Sequence, residues 1–485
     1  MDTTCLIRYN TRWNVKSEGV DKMEQHYDVA IIGAGPAGSF AAYELIAKNP
    51  TLKVVVMETG KDIYHRKCPI AEKKVETCIN CKPCSIMRGF GGAGAYSDGK
   101  YNFTTKFGGW LNDYLPDDKV LELIDYVDQI NLRHGAPTKV FSTKNSSLGQ
   151  KALAYDLHLL DAQVRHLGTE NNLKMLEQTY EYLKDKVEFL FECSVHSFAR
   201  IDGQCKVTLE NGDVIESTYL IAAPGRAGSE WFTDECKRLQ LELLNNQVDV
   251  GVRVEVPAEV FNHITDEVYE AKLVYRTKQY GDLVRTFCMN PKGHVVMENT
   301  DGIMTVNGHS YSDPKLHSQN TNFALLVSNR FTEPFNEPHQ YGKRIASFSN
   351  MLGGGIIVQR FGDLLKGRRT NEHRLGKSFT KPTLKATPGD LSLVLPKRHL
   401  DNIIEMIQAL NHIAPGTAND DTLLYGVEVK FYSSRLKLSP ELETKLKNIF
   451  AIGDGAGVTR GLSQAGASGV YVARTILQRL EKNSI

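Results

Sequence analysis

Residues able to do chemistry fall into a few strings of this 485-residue chain. Cys78-x-x-Cys81-x-x-Cys84, with Cys68 followed by Pro69 upstream, repeats the three-ligand spacing of bacterial ferredoxins, so a four-cysteine 4Fe-4S site is chemically reasonable. Zinc also takes four thiolates, a redox dithiol is a third reading, and reduced thiols in a tight loop a fourth. Cys288, in Phe287-Cys288-Met289-Asn290, and His309, in Asn307-Gly308-His309-Ser310, sit in turn-like strings; with Cys81 and Cys84 they are the candidates for contact with a substrate. Glu428, Lys430 and Tyr432 alternate along one strand, facing a site or pairing with one another.

A second chemistry is written in Gly33-Ala34-Gly35-Pro36-Ala37-Gly38. Gly33 permits a tight turn, Gly35 a close approach of pyrophosphate to backbone, and Gly38 the packing of a helix on the preceding strand. Pro36 falls where a helix has no use for its N–H. The apolar run Tyr27–Ile32 precedes the glycines, a helix over 37–48 follows, and a second strand, Leu52–Met57, ends in Glu58. An acid at that distance accepts both ribose hydroxyls and repels a 2′-phosphate. Strand, turn, helix, strand and acid are in register, so a dinucleotide binds here. Near the other end, Asn448–Ile452 runs into Gly453-Asp454-Gly455, and a helix is expected from Gln464 to Leu480.

The elements that must position these groups follow from periodicity. Apolar spacing of three and four predicts helices over 118–132, 151–167, 172–184, 340–352 and 399–412. Alternating runs flank Asn211-Gly212, the strongest short-range hairpin signal, and lead to the apolar strand Tyr219–Ala223 before Pro224-Gly225-Arg226. From 247 to about 376 the chain is strand-rich and predicts an antiparallel sheet. Between 61 and 112 there is little periodicity and much Gly, Pro and Cys, the mark of a long functional loop over the ligand.

Helix, strand, small β-meander and an apolar strand ending in a small-residue turn resemble the FAD-binding domain of the glutathione-reductase-like flavoprotein superfamily, and the Gly-Asp-Gly string is similar to its second FAD signature. The strings Gly89–Lys100, Ala223–Trp231, Tyr425–Lys430 and Gly453–Gly461 look like those of poorly characterised bacterial and archaeal FAD-dependent dehydrogenases. The resemblance implies an α/β fold: a Rossmann-like FAD-binding domain, a parallel sheet with a β-meander, plus an inserted antiparallel α+β substrate domain. It further implies that Val195 meets the adenine, that Gly225 lines the cofactor's path, and that Asp454 takes the ribitol hydroxyls, with Gly453, Gly455, Gln464 and Ala465 beside it. The expected division is an extension over 1–22 that is disordered, FAD-binding segments over 23–246 and 417–485, and a substrate domain over 247–416. The glycine run with Gly91, Gly92, Ala93 and Gly94 is expected against the flavin, and the whole loop from Cys78 to Lys100 along its isoalloxazine edge.

Composition excludes more than it assigns. A formal net charge of +1 steers toward neither nucleic acid nor anionic membrane, and no stretch has the apolar length of a membrane span. Arg8, Arg12 and Lys16 lack the apolar core of a secretory signal after them, Met23 is an alternative start, and nine cysteines without a disulfide framework fit a cytoplasmic protein. No second strand-Gly-x-Gly-x-x-Gly-helix unit is present, so NAD(P)H is expected only as a transient donor. The first functional expectation is hydride or electron transfer between FAD and a small organic molecule; the second is electron or thiol exchange with a carrier protein through the cysteine loop. FAD-dependent RNA modification ranks third, for want of a basic, aromatic-interleaved surface.

Overall fold

Short β-branched runs build the first sheet. Val54–Glu58 is buried throughout and His26–Ile32 nearly so, and both lie inside a seven-stranded sheet in the order Glu188–Phe191, Val54–Glu58, His26–Ile32, Val214–Ala222, Gln204–Leu209, Val195–Ile201. The first four strands run parallel, and the last three form an antiparallel meander around the turn at Asn211-Gly212. Beyond the meander, Leu220–Ala222 pairs in parallel with Ile449–Ala451, so the two ends of the chain close one sheet. The computed structural model describes residues 26–483 apart from 76–77, 145, 245–246, 301, 330, 332–334, 336–337, 431–432 and 434. The N-terminal extension with Arg8, Arg12 and Lys16, the alternative start Met23, and Tyr432 therefore lie outside the described residues.

Two helices from opposite ends of the sequence, Pro36–Lys48 and Leu462–Asn483, pack together on this sheet. Glycine sets their separation: a Cβ on Gly469 would lie 2.2 Å from the Ala37 carbonyl oxygen, and one on Gly466 3.0 Å from both Phe40 and Val127. Val127 belongs to the helix Asp117–Arg133, which covers the terminal helix, and the carboxyl of Glu44 joins all three by accepting from Tyr126 Oη (2.6 Å) and Arg474 Nε (2.7 Å). No described helix is long and apolar enough to cross a membrane.

The second sheet has eight strands in the order Thr387–Pro388, Ile357–Arg360, Leu423–Lys430, Val248–Pro257, Asn320–Asn329, Leu283–Asn290, Leu273–Arg276, Leu157–Leu159, antiparallel except at its first pair. Val248, Val250, Val252, Val254 and Val256 face the helices Ala258–Val268 and Lys397–Ile413 in one hydrophobic core. The alternate positions Asp249, Arg253 and Glu255 are equally buried, on the opposite face. A separate hairpin, His294–Thr300 with Ile303–His309, stands beside this face.

Three expectations change here. The segment 151–167 is no single helix: it holds the end of a short helix, Leu148–Leu153, and two strands, Leu157–Leu159 and Gln163–His166. Tertiary pairing overrides the helical spacing, because Leu157–Leu159 completes the edge of the second sheet and Arg165 reaches Asp128 with two bonds of 2.7 Å. The inserted domain accordingly gathers 148–159 from upstream. It also keeps Leu423–Lys430, which the sequence reading assigned to the final segment.

The close approach at Gly469 gives a stability prediction. Gly469→Ala overpacks the helix pair and lowers unfolding free energy by about 1–3 kcal/mol. Gly376→Ala, where an added methyl meets nothing within 4 Å, stays within about 0.5 kcal/mol. Urea unfolding of both variants checks this; equal effects would mean the helices separate freely.

Candidate functional site

Strands ending at Ile32, Ala222 and Ala451 deliver three turns to the carboxyl edge of one parallel sheet, the place where open α/β sheets bind ligands. The turns touch. Gly33 has φ +97°, and a Cβ there would lie 2.3 Å from the Ala223 carbonyl oxygen; one on Gly455 would lie 2.4 Å from the carbonyl oxygen of Gly225. Gly38 has its expected packing role, since a Cβ would fall 2.0 Å from the Gly33 carbonyl. The helix beginning at Pro36 has Gly35 as its cap, no capping side chain and no acid in its first turn, so its positive end is left for an anion.

Glu58 is buried, and its carboxylate is largely committed to the protein. Oε2 accepts from the Ala34 amide at 2.9 Å, and Oε1 from the amides of Gly60 and Gly89, both at 2.8 Å. A carboxylate offers about four acceptor positions. Room remains for one ribose hydroxyl rather than the two expected. The same bonds pin the glycine run: Gly91 N–H donates to Ala34 O at 2.8 Å, and Asn172 Nδ2 donates to Gly94 O at 2.8 Å.

A cavity of about 1240 Å³ opens from these turns and extends to the second sheet. That is more than a single small ligand requires and is enough for a dinucleotide with a partner molecule. Gly33, Gly35, Pro36, Ala37, Glu58, Gly92, Ala93, Gly94, Val195, Gly225, Gly453, Asp454 and Ala465 all line it. Burial raises the Asp454 carboxyl above the ordinary range, opposed by Arg226 and by the hydroxyl of Thr459, which donates to Oδ1 at 2.8 Å. Gly38, Gly91, Gly455 and Gln464 do not line the cavity. The Gln464 side chain is spent on the loop, accepting from Leu111 N at 3.4 Å and donating to Phe107 O at 3.3 Å.

The cysteine string corrects the sequence reading. Among the described residues no group of three or more His, Cys, Asp or Glu is placed to hold a metal. Cys68, Cys78, Cys81 and Cys84 are free thiols outside the cavity lining, and Cys81 is exposed. Cys78 Sγ instead accepts from Asn299 Nδ2 at 3.3 Å on the hairpin. The loop from 78 to 100 is thus divided: its glycine half lines the cavity and its cysteine half does not. Spacing alone does not set the backbone so that thiolates converge. His309 also lies outside the lining, in an aromatic group with His294 and Tyr311, and burial lowers its pKa. Cys288 does line the cavity, 3.9 Å from Lys100 Nζ.

Apart from Glu428 and Lys430, sequence reasoning missed the polar wall on the side of the second sheet. Lys100 Nζ donates to Met289 O (2.6 Å) and Asn290 Oδ1 (3.0 Å) and lies 3.1 Å from Asp98 and 3.6 Å from Glu270. Burial opposes its charge, but Asp98 chiefly, with Glu270, carries its pKa well above that of an ordinary amine. Glu270 also binds Lys272 at 2.6 Å. Lys272, Arg285, Arg460 and Lys430 stand 4.8, 5.4, 5.6 and 5.7 Å from the centre of the Phe287 ring. Asp249 pairs with Arg285 and lies 3.6 Å from Arg460; Glu428 lies 2.8 Å from Lys430 and 3.5 Å from Arg253. Glu428 and Lys430 thus pair with each other, and Lys430 also faces the cavity. The strict alternation over 248–256 was the available signal, because a half-polar strand in a buried sheet needs partners for its charges.

Residues 247–431 match the family described as FAD-dependent protein, C-terminal domain-like. No curated protein matches the chain. Solved structures similar to it include glycine oxidase from Geobacillus kaustophilus (12% identity, 93% of this chain and 95% of that one, TM-score 0.41) and 2,6-dihydroxypyridine-3-hydroxylase from Arthrobacter nicotinovorans (12%, 94% and 84%, 0.42). A flavoprotein/dehydrogenase from Cytophaga hutchinsonii is similar at 13% identity, with 94% and 79% covered and a TM-score of 0.41. At these scores the likenesses assign no chemistry to this chain. The family match over the inserted domain, in contrast, associates it with FAD-dependent proteins.

The Glu58 geometry is testable apart from any ligand. Glu58→Gln replaces one acceptor oxygen with an NH2 group, leaves at least one of three buried amides without its partner, and lowers apoprotein stability by about 1–3 kcal/mol. Denaturant unfolding of the apoprotein measures it, and an unchanged midpoint would show that the amides have other acceptors.

Proposed function

We propose that the chain is an FAD-dependent oxidoreductase: FAD is held noncovalently across the three glycine turns, and a small organic molecule reacts at the flavin end of the same cavity. The observation that carries this is the meeting of an uncapped helix N-terminus, a buried acid at the ribose position and a half-buried aspartate in the third turn along one cavity. When bound, FAD supplies the gain or loss of a hydride equivalent. The chain's residues bind and orient. Amides at the start of the helix Pro36–Lys48 receive the pyrophosphate, Glu58 accepts one ribose hydroxyl, and Asp454 accepts from the ribitol chain. On the far wall, the network of Asp98, Lys100, Glu270 and Lys272 fixes charge and excludes water around the reacting molecule.

The finer placement, in the glutathione-reductase-like superfamily, is supported by the parallel sheet with its meander and by the closing Gly-Asp-Gly strand. In this reading a nicotinamide is a passing donor, since the described residues contain one strand-turn-helix unit of the dinucleotide kind.

Asp454→Ala and Glu58→Ala are expected to weaken FAD retention by about tenfold or more each, through lost hydrogen bonds to a charged acceptor. Cys81→Ser leaves it unchanged. The ratio of flavin to protein absorbance after gel filtration reads all three. Full occupancy in both acid variants would refute the placement.

A further inference from the structure

We infer that the segment 365–385 of the inserted domain is a docking surface for an anionic phospholipid membrane, with Phe379 entering the interface and lysines and arginines meeting the headgroups. None of these residues lines the cavity, so the surface is separate from the proposed reaction site.

The chain's net charge of +1 conceals a strong local imbalance. Between 366 and 385 stand seven lysines and arginines and a single acid, Glu372. Three of the cations are matched from outside the segment: Lys366 by Asp420 at 2.6 Å, and Arg368 and Arg374 by Asp363 at 2.7 and 3.1 Å. The other four, Arg369, Lys377, Lys381 and Lys385, are exposed and have no ion pair among the described residues. With the bordering acids Asp363, Asp390, Asp420 and Asp421 and the bordering Arg360 all counted, cations still outnumber carboxylates by eight to five.

Phe379 decides what kind of anion this surface suits. Its neighbours Ser378 and Thr380 are buried, while its own side chain is 90% exposed, more than any other large apolar side chain among the described residues. Polar in and apolar out is the reverse of what water selects. The backbone there is fixed: the Phe379 amide donates to Asp421 Oδ2 at 3.2 Å and the Ser378 amide to Leu375 O at 3.1 Å. The ring is therefore held outward by an anchored turn, with Lys377 and Lys381 on either side. An apolar ring between cations matches an interface whose headgroups are negative and whose interior is hydrocarbon.

Further exposed apolar side chains adjoin the segment. Thr370 N–H donates to Gly389 O at 2.9 Å, just before the exposed Leu393, and Thr387 Oγ1 donates to Gly353 O at 2.6 Å, at the end of the helix Pro338–Gly353 that carries the exposed Met351 and Leu352. Leu365 is exposed as well. None of these four has a ring on which a base would stack, which favours a bilayer over nucleic acid. On the inner side, Leu375 packs with Val295 and Val306 of the hairpin whose Glu298, Thr305 and Asn307 line the cavity. Docking thus sets the bilayer behind one wall of the cavity.

Sedimentation of the purified full chain with lipid vesicles tests this. Binding is expected to vesicles of phosphatidylcholine mixed with phosphatidylglycerol, to be at least about tenfold weaker with phosphatidylcholine alone, and to fall as salt rises, because surface charges are screened. Phe379→Ser should lower the partition coefficient by about tenfold, and Lys377→Ala and Lys381→Ala by about fivefold each. Lys48→Ala, which removes an exposed cation of the first domain, should leave it unchanged. The urea midpoint is expected to stay in place in all four variants, which separates recognition from damage to the fold. No binding to the mixed vesicles, equal binding to both kinds, an equal loss in Lys48→Ala, or an unchanged partition in Phe379→Ser and both segment lysine variants would each overturn the inference. So would a single-stranded oligonucleotide that binds more tightly than the vesicles at the same salt and is lost in Phe379→Ser.

Discussion

The strand Val214–Ala222 pairs with both ends of the chain, and everything at the site depends on that pairing. Its neighbours, His26–Ile32 and Ile449–Ala451, are separated by some four hundred residues, yet they end level with it. Their three turns are packed so closely that a single methyl group at Gly33 or Gly455 would strike backbone. Such contact cannot be adjusted one turn at a time. The cost of closing so long a loop grows only slowly with its length, and it is offset by the buried pairing and by the helix contact at Gly469. The intervening chain is thereby free to form a second core.

That second core has a polar back. A strand of valines alternating with Asp249, Arg253 and Glu255 buries one face against helices and the other against charged partners. Buried ion pairs add little stability and sometimes cost it. Their use here is positional: Asp249 and Glu428 hold cations at the rim of the cavity, and Lys100, supplied by the first half of the chain, enters the same network through Glu270 and the backbone carbonyl of Met289. The network crosses the junction between the two sheets, so the cavity wall and the seam of the molecule are one structure.

Much of the first sheet was legible, because its signals are local. Gly33-x-Gly35-x-x-Gly38 and Asn211-Gly212 force particular backbone shapes, and Gly453-Asp454-Gly455 ends a strand too apolar to lie anywhere but a core. What escaped was set by distant partners. Leu157–Leu159 has helical spacing around it and is a strand only because Leu273–Arg276 offers an edge. Glu58 was identified as an acid for ribose, but one of its three amide donors, Gly89, comes from a loop whose path the sequence does not state. The cysteines mislead for the same reason: their spacing is that of a ligand set, and among the described residues the thiols are not brought together. Lys272 and Arg285 carry no motif at all, and Arg460 falls within the Gly453–Gly461 string without a role of its own; they meet around Phe287 only once both sheets are assembled.

In the proposed reading one cofactor is gripped by all three turns at once. Hydrogen–deuterium exchange of the apoprotein, repeated after saturation with FAD, tests it most directly. Slowed exchange is expected in 33–38, 92–94, 224–226 and 453–457 together, with the cysteine segment 78–84 unaffected. Protection confined to one end of the chain, or centred on 78–84, would contradict it.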